Sequence, residues 1–251
     1  SAPDPLGGFP AAAVVIGAST GGPQVVERIL RALPVDFPAP VAICQHMSPG
    51  FVEQWAERLD PLCWLDVKEA ENGEAFVRGH VYIAPVGTHL RFWRDSTGPR
   101  CRLDADSTGS VHVPCIDFVF TSAAEVFGSR ALGVLLTGLG ADGAQGLKDL
   151  RQRGAYTLVE DPATAVASSM PESALTVGAV VGTVVWALVT LSGVKTTRSR
   201  FWPSPTNRSV KTRFPDERGR STVAVVQEEY PPVFGIGTFA ATWPSTTTSI
   251  A

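Results

Sequence analysis

The sequence predicts an α/β protein built on a doubly wound, mostly parallel sheet with helices on both faces and a β-hairpin excursion. Three observations carry that prediction. Apolar runs at 14–16, 40–45 and 131–136 each end in a loop and lead into an amphipathic segment, the repeating form of strand, turn and helix. Strands joined through helices return to the same sheet edge and pair in parallel. Residues 81–104 instead alternate apolar and polar side chains around Pro85-Val86-Gly87 and Asp95-Ser96-Thr97-Gly98, which is hairpin patterning.

The composition suits a globular domain. The 251 residues are 44% hydrophobic and 18% charged with a net charge of −3, enough apolar material for a substantial core and no basic excess that would point to nucleic acid. Cys44, Cys63, Cys101 and Cys115 show no Cys-x-x-Cys pairing and no zinc-finger histidine spacing, so they read as reduced thiols of a cytoplasmic protein, with no metal site and no cofactor. Residues 1–11 are rich in Pro and Gly and lack a signal pattern, which suits a linker behind some preceding segment.

In chain order, the first strand breaks into Gly17-Ala18-Ser19-Thr20-Gly21-Gly22, and a helix is expected over 23–33. Glycines around Ser19 allow a sharp bend and close approach of a substrate, and the helix N-terminus beyond offers free N–H groups. A nucleophile beside a developing oxyanion fits there. So does a bound phosphate, which keeps an anion- or nucleotide-binding module open as an alternative. The second strand, 40–45, ends at Gln45-His46-Met47, and residues 51–59 place Phe51, Val52, Trp55 and Leu59 on one helical face. His46 thus occupies a strand end matching that of Ser19, where ligand sites of such sheets gather. His80, His89 and His112 fall in turns and loops and are weaker candidates, although His89 could line the cleft.

A third helix is expected over 116–127. The run 131–136 then breaks at Thr137-Gly138-Leu139-Gly140-Ala141-Asp142-Gly143 before a helix over 144–153. An acid there can simply cap a helix. With Ser19 and His46 it also completes a nucleophile, a base and an orienting acid on loops at one sheet edge. The order Ser, His, Asp excludes an ordinary α/β-hydrolase, whose histidine follows its acid.

The segments GASTGG, QHMSPGF, VKEAENGE, GHVYIAP, LLTGLGADGAQGL and MPESAL, in this order, resemble the catalytic domain of chemotaxis protein-glutamate methylesterases of the CheB type, over about 12–185. The resemblance implies a cytoplasmic serine hydrolase that removes methyl esters from glutamates of chemoreceptor helices, with glutamine deamidation in some members and a receiver domain commonly ahead of the catalytic one. It places the nucleophile on Ser19, the base on His46 and the acid on Asp142. Thr20, Gly21, Leu139 and Gly140 stand in the oxyanion and substrate vicinity. A non-catalytic receptor-binding scaffold is the second alternative.

Three departures stand out. Leu139 replaces a usual Met, the lead-in Ser110-Val111-His112-Val113 replaces a more polar one before Pro114 and Asp117, and Trp186-Ala187-Leu188-Val189 replaces a more polar exit. Residues 173–194 carry no charge, but a soluble helix, turn and strand account for that stretch, so no membrane span is expected. The domain reading is therefore a linker over 1–11, a catalytic domain over 12–194 and a basic, Ser/Thr/Pro-rich tail over 195–251. The tail is expected to be mostly disordered; it holds 8 of the 21 Lys and Arg and 4 of the 24 Asp and Glu.

Overall fold

The computed structural model describes residues 11–107, 109–184, 209–215 and 221–227. Expectations for 1–10, for the run from Trp186 and for 228–251 lie outside the described residues.

The chain opens with β1 (Ala13–Ala18), α1 (Gly22–Ala32), β2 (Val41–Gln45) and α2 (Phe51–Leu59). β3 (Asp66–Glu69) and β4 (His80–Ile83) follow, then the antiparallel hairpin of β5 (Thr88–Asp95) and β6 (Gly98–Ala105). The remainder runs α3 (Ile116–Phe127), β7 (Ala131–Leu135), α4 (Ala144–Gln152), β8 (Tyr156–Glu160), α5 (Ser169–Thr176) and β9 (Gly182–Val184). Seven strands form one sheet in the order β3-β4-β2-β1-β7-β8-β9, with every pairing parallel.

The period of two in the strands sorts their side chains into two cores. Along β1, Val14, Ile16 and Ala18 enter the core shared with α1 and α2, while Ala13 and Val15 enter the one shared with α3 and α4. Both faces are covered, which is why β1 is apolar throughout. The hairpin joins the second core through Phe92, whose ring lies 4.7 Å from Phe76 and 5.3 Å from Phe127, and whose N–H donates to the buried Ser122 Oγ.

Two assignments differ from the sequence reading. Residues 81–83 belong to β4 in the main sheet, so the hairpin begins only at Thr88; the alternating pattern runs on across a turn and hides the change of sheet. The segment Asp66–Glu69, noted only as part of a motif, is the edge strand, too short and too polar to announce itself.

The tail, expected to be mostly disordered, contains the strands β10 (Ser209–Pro215) and β11 (Ser221–Gln227), paired antiparallel. The abundance of Val and Thr there favours strand. This hairpin belongs to a unit separate from the sheet domain.

Candidate active site

Strand order reverses at β1: the chain steps one way through β2 and the other way through β7. The loops leaving β1, β2 and β7 therefore diverge at the carboxyl edge, the place where doubly wound sheets build sites. Ser19 follows β1, His46 follows β2 and Asp142 lies between β7 and α4.

The loop of Ser19 is shaped by close packing. Gly21 takes φ 83° as it turns the chain into α1, and a Cβ there would meet Val166. A Cβ at Gly138 would collide with Met170 Sδ and come within 2.8 Å of Ser19 Cβ. Glycine at 138 is thus what lets the loop after β7 lie against the serine.

His46 Nε2 and Asp142 Oδ2 are 2.8 Å apart, with side chains 9% and 11% exposed. His46 Nδ1 is buried and meets no hydrogen-bond partner among the described residues, Ser19 included. Asp142 also accepts from Ile116 N–H at 2.8 Å, Asp117 N–H at 2.9 Å and Cys115 Sγ at 3.2 Å. Burial acts to raise its pKa, but the bonds from His46, the two N–H groups and the thiol outweigh burial and hold the carboxyl down to about 2. The first two residues of α3 are thereby capped by an acid from another loop, while Cys115 at the cap position contributes no side-chain bond to its own helix.

Two groups that the sequence ranked low also belong to this neighbourhood. The His112 ring stacks on His46, with centroids 4.1 Å apart and an interplanar angle of 20°. Desolvation and the neighbouring His46 lower its pKa. Cys115 touches Asp142, and burial pushes its thiol up to about 12, so it stands as a protonated donor. Their only sequence signal was position on either side of Pro114, His112 before it and Cys115 after it. His89 does not line the opening. It is 2% exposed, accepts from Cys115 N–H at 3.1 Å and lies 3.3 Å from Asp106 Oδ1, bracing the loop from behind.

Of the groups named for the oxyanion vicinity, Gly140 N–H donates to Ser169 Oγ at 3.0 Å. The neighbouring Gly138 N–H donates to Ala167 O. The N–H groups of Thr20, Gly21 and Leu139 donate to no other described residue. Leu139 is 62% exposed at the rim.

Cys115, Asp117 and Asp142 bring ligand-type atoms within 4.8 Å of one another. Asp142 is already engaged by four donors and Asp117 accepts from Gly146 N–H at 2.7 Å, so a cation would have to displace bonds that cap helices. The arrangement suits proton transfer to and from an imidazole that is held by a carboxylate.

Comparison with known proteins identifies the family and the fold. Residues 14–189 match the family model described as CheB methylesterase. A protein-glutamate methylesterase/protein-glutamine glutaminase of Chromohalobacter salexigens is 45% identical over 171 residues, covering 68% of this chain and 48% of that protein. One of the same description from Paraburkholderia xenovorans is 45% identical over 166 residues, covering 66% and 46%. The chain spans about half the length of the curated relatives it matches. The crystal structure of the Thermotoga maritima CheB methylesterase catalytic domain matches with a TM-score of 0.68 and 38% identity, over 71% of this chain and 95% of that one.

Proposed function

Because the chain belongs to the CheB methylesterase family, we propose that it hydrolyses γ-glutamyl methyl esters on the cytoplasmic signalling helices of chemoreceptors, using Ser19, His46 and Asp142. The observation that carries this reading is the 2.8 Å bond between His46 Nε2 and Asp142, made beside the strand end that bears Ser19.

Since Nε2 is committed to Asp142, Nδ1 is the nitrogen left to take a proton from Ser19 Oγ. Ser19 must turn onto it, a contact that commonly tightens only in the substrate complex. The serine oxygen attacks the ester carbonyl, and the oxyanion is met by N–H groups from Thr20, Gly21 and Leu139. The tetrahedral adduct collapses as His46 returns the proton to the leaving methanol. Water, deprotonated by His46, then cleaves the acyl-enzyme and releases the glutamate. Asp142 keeps the imidazole in the useful tautomer and stabilises its cation. A glutamine amide can follow the same path with ammonia as leaving group, and the names of the relatives support that second activity.

The reading places the reaction in the cytoplasm, with methylated receptor helices and a receiver domain as partners of a catalytic unit over 12–194. Among the described residues, no helix is long and apolar enough to cross a membrane.

The test is methanol release from a methylated chemoreceptor cytoplasmic fragment. Ser19→Ala should lower the rate by about a millionfold, and a chain shortened after Val194 should retain activity. Equal release by wild type and Ser19→Ala would defeat the proposal.

A further inference from the structure

Gln45 ends β2 with only 1% of its surface exposed, and the two ends of its amide are treated unequally. Nε2 donates to two backbone carbonyls, Ser19 O at 2.8 Å and His46 O at 3.0 Å. Oε1 is buried without a partner among the described residues. Turning the amide over would set its oxygen against both carbonyl oxygens, so the acceptors dictate the orientation. Oε1 lies instead against Gly22, where any Cβ would collide with it. Buried polar atoms are normally paired, and an exception calls for a cause.

The cause lies in which carbonyls are held. The parallel ladder between β1 and β2 ends with His46 N–H donating to Ala18 O at 3.0 Å. Beyond that point the two backbones separate into the loops of Ser19 and His46, and the Gln45 amide ties them together. Together with Gly22 N–H, which donates to Ser19 O at 2.9 Å, it also sets a peptide plane. In a trans peptide the C=O and the following N–H point in opposite directions. With Ser19 O turned toward Gln45 Nε2, the Thr20 N–H faces away from it and donates to no described residue.

We propose that Gln45 is a positioning residue for the hydrolysis: its amide couples the loop of the nucleophile to that of the base and aims the Thr20 N–H at the developing oxyanion. This rests on the serine methylesterase reading above. Gln45 touches neither substrate nor reacting atoms, so it acts through the two backbones alone.

The experiment measures kcat and KM for methanol release from a methylated receptor fragment, well below the unfolding temperature. It compares wild type, Ser19→Ala, Gln45→Met and Gln45→Glu. Gln45→Met keeps the length of the side chain and removes the donor. It should lower kcat by about a hundredfold to a thousandfold, the loss expected for one oxyanion donor, while KM moves by less than about threefold. Gln45→Glu keeps the shape and, once ionised, sets acceptors against acceptors. Its deficit relative to wild type should deepen as pH rises, a dependence that packing alone does not produce. It also carries the test if Gln45→Met fails to fold.

A Gln45→Met enzyme with wild-type kcat and only a lower melting temperature would overturn the proposal and leave the esterase reading standing. So would a Gln45→Glu deficit that is flat with pH. Wild type no better than Ser19→Ala would instead remove both.

Discussion

Asp142 combines two roles that the sequence sets against each other. It orients the proposed base, and it caps a helix, but that helix is α3 rather than α4, the one that follows it in sequence. A single carboxylate thus ties catalytic geometry to the seat of α3. Its pKa of about 2 sits below the ordinary 3.8, so the charged form is favoured by folding. The stabilisation is fully present above about pH 4 and is lost as pH falls toward 2. It amounts to about 2 kcal/mol. Asp142→Asn should remove that dependence, so acid titration of stability would show a shallower loss between pH 4 and 2 than wild type. An equally steep loss would place the acid sensitivity in other carboxylates.

The three proposed catalytic residues were legible because each follows an apolar strand that breaks into a loop, a local signal. His112 and the Gln45 amide were not. Their roles arise from contacts between loops remote in sequence, such as Gln45 Nε2 with Ser19 O, and periodicity carries no information about those.

At the scale of elements, α3 and α4 were legible almost to the residue, because their apolar positions recur at helical spacing and glycines stand at the turns that precede α4. Their crossing was not. A Cβ at Gly146 would come within 2.5 Å of Asp117 O and 2.9 Å of its Cα, so the absence of a side chain lets α4 pack against the backbone of α3. Backbone cannot step aside as a flexible side chain can. Gly146→Ala should therefore lose about 1–3 kcal/mol despite the better helix propensity of alanine. Chemical denaturation would measure the loss, and a variant as stable as wild type would mean that the helices slide apart freely. The edge strand β3 was missed for the opposite reason: four residues with one buried side chain give no period to read.

At the scale of the whole sheet domain, one topological fact organises the rest. The order β3-β4-β2-β1-β7-β8-β9 puts the loops after β1, β2 and β7 side by side, although the chain visits them over more than a hundred residues. Parallel pairing followed from the alternation of strands and helices. The position of the reversal did not, since no residue type marks it. Two cores clamp the sheet from both faces, so the strands whose following loops carry Ser19, His46 and Asp142 are rigid supports while the loops remain at the surface.

Everything in the proposed chemistry depends on Ser19 being an activated nucleophile served by His46 and Asp142. The most direct measurement is intact-mass analysis of the chain after exposure to an alkyl fluorophosphonate, with the labelled residue located by peptide mapping. One adduct is expected, on Ser19, absent in Ser19→Ala and formed at least about a hundredfold more slowly in Asp142→Asn. Labelling of another serine, or of Ser19 at an undiminished rate in Asp142→Asn, would contradict it.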